Sequence, residues 1–145
     1  MIFMKRFLGL DLGSKTLGVS ISDTTNVIAS LYTTIRFKDD DYQYALDELE
    51  SIIKDNGITT IVLGLPKNMN GTIGERAKIT LDFKNKIEQK YNIDVIMEDE
   101  RLTSVISNNV LIKSNISRNK RKKKVDGMAA IIILQSYLDR RNKNE

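Results

Sequence analysis

Asp11 closes the apolar run of residues 6–11 (RFLGLD) and leads at once into the turn Gly13-Ser14-Lys15-Thr16 and then Gly18. Ligands of open α/β sheets gather at the carboxyl ends of parallel strands, and glycine lets a bulky anion approach the backbone. The pattern therefore suits a metal or phosphate site, although an ordinary turn also uses aspartate here. Glu98, Asp99 and Glu100 stand side by side behind a second apolar run and are followed by Arg101. Adjacent carboxylates repel one another, and a metal or arginine neighbour relieves that repulsion. A solvated helix start, where the dipole favours negative charge, is the other reading. Asp126 opens the last helical pattern, and the dipole alone would favour it there too.

The chain has no cysteine and no histidine. Disulfides, thiolate catalysis and zinc–cysteine sites are excluded, as are histidine triads and imidazole acid–base chemistry. An all-oxygen donor set of Asp11, an acid of the 98–100 triplet and Asp126 would select Mg²⁺ or Mn²⁺ over zinc. Paired divalent ions about 4 Å apart activate water and stabilise the leaving oxygen of a phosphodiester, and that chemistry needs no histidine.

Candidate contacts to nucleic acid accompany these acids. Arg118, Lys120, Arg121, Lys122, Lys123 and Lys124 form a basic run just before Asp126. Such a run contacts phosphates, or is simply a solvated loop. Lys67 and Asn68, with Asn70, lie in a loop bounded by Gly64 and Gly71 that could bind phosphate or bases or be an ordinary strand-to-helix turn. Lys15 in the first turn and Arg101 behind the acidic triplet complete the set.

The elements that must position these groups follow from hydrophobic periodicity. A chain of 145 residues, 41% of them apolar, supports one core and one domain over residues 1–145. No apolar run approaches the roughly 18 residues needed to span a membrane, and residues 1–6 do not read as a secretory signal. The lack of cysteine fits a reducing compartment. The net charge of +4 favours polyanionic partners.

Residues 6–11 read as a buried strand. In the next stretch Leu17, Val19 and Ile21 alternate with Gly18, Ser20 and Ser22, the period of a half-buried strand. Residues 27–37 make a third strand, so a meander is expected. Tyr42, Ala45, Leu46, Leu49 and Ile53 share a helical face ended by Gly57. Residues 60–65 suit a central strand. Thr72 and Glu75 have capping-box spacing before a helix carrying Ile79, Phe83, Ile87 and Tyr91. A short strand over 93–97, a helix carrying Leu102, Ile106 and Val110 behind Thr103, a flexible basic loop over 115–124 and a core helix over 125–138 complete the chain, with a frayed tail over 139–145. This order predicts a mixed α/β sheet with helices on both faces. Right-handed crossovers would set the first, fourth and fifth strands side by side and parallel.

Four blocks in this order, LGLDLGSKTLGVSISD (8–23), IVLGLPKNMNGT (61–72), DERLTS (99–104) and KVDGMAAIIILQSYL (124–138), resemble the YqgF/RuvX family, the pre-16S rRNA nucleases related to Holliday junction resolvases. The resemblance implies a five-stranded RNase H-like fold and an acidic site of Asp11, Glu100 and Asp126, with Glu98 outside it. It also implies trimming of the 5′ end of 16S rRNA precursor in the bacterial cytoplasm. The partner would be structured RNA or branched DNA, bound by a monomer or homodimer. Thr16 and Asn70 depart from the arginine and aspartate common in the family, and Ala129 stands where junction resolvases carry a fourth acid. Three rivals share parts of the pattern. They are a junction resolvase, an actin-like ATPase, for which the chain is too short, and a non-catalytic RNA-binding assembly factor.

Overall fold

The computed structural model describes residues 6–66, 73–100 and 118–143, the last segment by its backbone alone up to residue 126. Strands β1 (Arg6–Leu12), β2 (Thr16–Ser22) and β3 (Ala29–Arg36) form the antiparallel meander. Then come α1 (Tyr42–Asn56), β4 (Ile58–Leu65), α2 (Glu75–Tyr91), β5 (Asp94–Asp99) and α3 (Arg118–Lys143). The sheet order is β3-β2-β1-β4-β5, with β1, β4 and β5 mutually parallel. This is the arrangement the crossover rule requires. The expected helix around Leu102, Ile106 and Val110 lies outside the described residues.

The period of two sorts each strand between two cores. Leu8, Leu10, Leu17, Val19, Ile61 and Leu63 face α1 and α2, together with Leu46, Leu49, Phe83 and Ile87. Phe7, Ala29 and Val62 face α3, which contributes Ile133, Leu134 and Leu138. Asp41 caps α1 by accepting from Tyr44 N–H, and Gly57 ends it at φ 60° in the left-handed region.

Four expectations need correction. β2 is buried on both faces, because α3 covers the side carrying Ser20 and Ser22, and Ser20 Oγ donates to Ala130 O at 2.6 Å. The cap of α2 is Gly74, so Glu75 is the first helical residue and the Thr72–Glu75 spacing is no capping box. α3 begins at Arg118, so the basic run is helical; lysine and arginine are good helix formers, and charge alone does not make a loop. The tail is not frayed as far as Lys143. Arg140 holds Glu98, the Arg141 guanidinium lies 5.2 Å from the centre of the Phe7 ring, and Asn142 Nδ2 donates to Asn26 O at 3.1 Å.

α3 lies close on the sheet because Gly9 has no side chain. A Cβ there would sit 2.7 Å from Leu134 Cβ and 2.9 Å from Ala130 O. Gly9→Ala should cost about 1–3 kcal/mol by overpacking, a fall of roughly 2–4 °C in Tm for each kcal/mol in a domain of this size. Gly13→Ala, whose Cβ would meet nothing nearer than 3.4 Å, should melt close to wild type. Thermal melts of the three proteins check this, and a Gly9→Ala melt equal to wild type would contradict the packing.

Candidate active site

Asp11 and Glu100 come together at the carboxyl edge of the parallel strands. Asp11 is the sixth residue of β1 and pairs across the ladder with Gly18. By parity it shares the α3 face of β1 with Phe7 and Gly9. Glu100 stands one residue past β5. Between them runs β4, and its Gly64 leaves the room. A Cβ at Gly64 would lie 2.8 Å from both Cγ and Cδ of Glu100 and 2.5 Å from Ile133 Cδ1. A glycine in the centre of a sheet marks a close approach, and here the approaching group is a carboxylate.

The two carboxyls are hydrogen-bonded to each other. Burial pushes the Glu100 carboxyl up to about 9; the hydrogen bond to Asp11, the Asp11 charge and the Asp99 charge add to the rise, and the Arg76 charge opposes it. The neutral form of the Glu100 carboxyl is therefore strongly favoured beside Asp11.

The other acids are sorted by their partners. Glu98, two residues before Glu100 and inside β5, is only 6% exposed, and both its oxygens accept from Arg140, Nη1 to Oε1 at 2.6 Å and Nη2 to Oε2. The repulsion expected within the acidic triplet is thus relieved at Glu98 by an arginine. Asp126 is the ninth residue of α3 and not its opening residue. It lies beyond the first turn, so the dipole no longer accounts for it. α3 runs antiparallel to β1, with Ala130 over Gly9 and Tyr137 against Phe7. The backbone at Asp126, one turn before Ala130, is therefore toward the Asp11 end of β1.

The candidate cations fall in different places. Lys15 Nζ lies 3.5 Å from Asp39 Oδ1 with both side chains about 70% exposed, a contact too screened to hold either. Lys67, Asn68 and Arg101 lie outside the described residues. Arg118, Lys120, Arg121, Lys122, Lys123 and Lys124 occupy the first two turns of α3. The sequence reading missed Arg76, which reaches from α2 to donate to Leu12 O and to the Tyr42 hydroxyl, each at 3.0 Å. A signal was present, since a cation in the first turn of a helix opposes the dipole.

The donor set fits a hard divalent cation. It is all oxygen, and two of its half-buried members lie against each other, where a cation would relieve their repulsion. Among the described residues no group of three acids forms a metal cluster, so a third ligand would have to come from elsewhere in the chain.

Residues 5–140 match the RuvX family, described as Holliday junction resolvase. The chain belongs to that family. A Bacillus subtilis relative named "Putative pre-16S rRNA nuclease" is 48% identical over 137 residues, covering 94% of this chain and 99% of its own. One from Oceanobacillus iheyensis with the same name is 47% identical over 136 residues, with the same coverage. The structure of T. thermophilus RuvC in complex with a Holliday junction substrate covers 94% of this chain and 95% of its own, with a TM-score of 0.56 and 9% identity, which establishes the shared RNase H-like fold. Family and relatives are nucleases, and this chain is accordingly a phosphodiester hydrolase with a nucleic-acid substrate.

The Glu100 carboxyl makes stability depend on pH. The raised folded value of Glu100 means that the folded state holds a proton that the unfolded chain releases above its model value of 4.5. Without metal, stability should therefore fall as pH rises from near 4.5 towards 9. Glu100→Gln should flatten this slope. Melts in EDTA across that range check it, and parallel curves for the two proteins would contradict it.

Proposed function

We propose that this chain is a divalent-metal-dependent nuclease that trims the 5′ end of 16S rRNA precursor in the bacterial cytoplasm, acting as one domain over its whole length. The observation that carries the reading is the half-buried Asp11–Glu100 pair at the carboxyl edge of β1 and β5. The rRNA substrate is supported by the names of its relatives at 47–48% identity.

Asp11, Glu100 and Asp126 would hold Mg²⁺ or Mn²⁺, which when bound supplies an activated water and charge neutralisation at the phosphodiester. Glu100, whose neutral form is favoured without metal, must be ionised to serve as a ligand. Lys15, Lys67, Asn68 and Arg101 contact the nucleic acid, Lys67 and Asn68 through phosphate or bases, and the α3 residues Arg118, Lys120, Arg121, Lys122, Lys123 and Lys124 contact backbone phosphates without reading sequence. Helical spacing distributes that last charge around α3, so only part of it faces any one strand of nucleic acid.

A second reading, a junction resolvase, is favoured by the family's description and the RuvC fold. Against it stands half-buried Ala129 in α3, at the position where resolvases carry a fourth acid.

One assay separates the readings. Purified protein is incubated with a 5′-extended 16S precursor fragment and with four-way junction DNA, in Mg²⁺ or Mn²⁺, beside Asp11→Asn. The RNA should be trimmed by wild type and left whole by Asp11→Asn. Junction cutting without RNA trimming would favour the resolvase. Trimming retained by Asp11→Asn would refute the site.

A further inference from the structure

We propose that Arg76 is a substrate-binding residue whose guanidinium takes a backbone phosphate of the nucleic acid next to the Asp11–Glu100 pair.

The guanidinium is fixed in place. Nη2 donates to the carbonyl of Leu12, the residue after Asp11, and Nη1 donates to the Tyr42 hydroxyl, both at 3.0 Å. Tyr42 in turn donates to Asp40 Oδ1 at 2.8 Å, and the Asp40 backbone N–H donates to Ser14 O at 2.9 Å in the turn after β1. The Arg76 backbone is held as well, since its carbonyl accepts from Thr80 Oγ1 at 2.8 Å. One end of a half-buried arginine is thus tied to the carboxyl end of β1 through groups that are themselves tied.

Both of these acceptors are neutral. A carbonyl and a phenol orient the fork without cancelling its charge, and a guanidinium carries five N–H donors, of which these bonds use two. A planar guanidinium matches phosphate in a bidentate way, and a pre-positioned one loses little entropy on binding.

The location supplies the need. A phosphodiester approaching Asp11 and Glu100 is repelled by carboxylate charge, and a fixed cation at the same strand end offsets that repulsion. Arg76 sits in the first turn of α2, where the helix dipole disfavours a cation. Helix stability therefore does not explain a positive charge there, whereas an anionic substrate does.

The alternative is structural, with Arg76 serving only to brace α2 against β1. The two roles separate in the salt dependence of binding, because each phosphate neutralised adds about 0.7–0.9 to the slope of log K against log salt. This inference rests on the nuclease reading, and the test keeps the two apart. The probe is the 5′-extended precursor RNA fragment in Ca²⁺, with binding read by fluorescence anisotropy over a range of salt.

Arg76→Gln keeps an amide donor for Leu12 O or Tyr42 and loses the charge. It should bind more weakly, with a slope shallower by about one phosphate contact. Arg76→Lys should restore the slope. A merely structural role would lower the melting temperature of Arg76→Gln and leave its slope at the wild-type value, and that result overturns the proposal. If wild type itself shows no salt-dependent binding to the RNA or to junction DNA, the nuclease reading falls and this inference with it. If wild type binds and cleaves but Arg76→Gln matches its slope, only this inference falls.

Discussion

Two half-buried carboxyl groups held against each other are costly to charge together without a cation. That constraint sits at Asp11 and Glu100, and much of the fold can be understood as what holds them there. Each comes from the end of a parallel strand, and the two strands are separated by one more. Left alone, the pair pushes the Glu100 carboxyl towards its neutral form. A divalent cation would relieve the repulsion differently, by favouring the ionised form. Such a site is costly to the metal-free protein and useful only when loaded, as expected of a functional centre that works against stability.

The scaffold meets the constraint with absent side chains and with a long-range ion pair. Gly64 clears the space that the Glu100 side chain fills, and Gly9 lets α3 descend onto the sheet. The Ser20 hydroxyl bonds the Ala130 carbonyl across 110 residues of sequence, fixing the helix over β1 and β2. At the far end of α3, Arg140 grips Glu98. That contact removes a neighbouring acid from the site and ties the strand that delivers Glu100. A buried carboxylate left without its guanidinium partner is an uncompensated charge, so removing Arg140 should be strongly destabilising.

Sheet order and strand directions were legible from hydrophobic period and crossover handedness, which also put Asp11 and the acidic triplet at one sheet edge. What was not legible has local physical reasons. Glu98 and Glu100 are two residues apart in sequence, so alternation could not tell ligand from ion-pair partner; Arg140, 42 residues from Glu98, makes that distinction. The run from Arg118 to Lys124 looked like loop because it is charged, yet long straight-chain residues favour helix. Ser20 and Ser22 looked solvent-facing because they are polar, but their hydroxyls are satisfied inside the protein, Ser20 by Ala130 O and Ser22 by Phe7 N–H and Asn26. Arg76 was missed because its role depends on where a helix begins, and the capping pattern pointed to Thr72 instead of Gly74.

The central claim is that Asp11 and Glu100 form a site built for a cation. The most direct measurement is the thermal melt of wild type and Asp11→Asn in EDTA and in Mn²⁺. A cation that binds only the folded state adds about 2.7 kcal/mol of stability at 100 times its Kd. Mn²⁺ should therefore raise the wild-type melting temperature. Asp11→Asn should melt at or above wild type in EDTA, since one repelling charge is gone, and should lose most of the Mn²⁺ gain. A strong destabilisation of Asp11→Asn in EDTA would make Asp11 a structural turn residue and contradict the account.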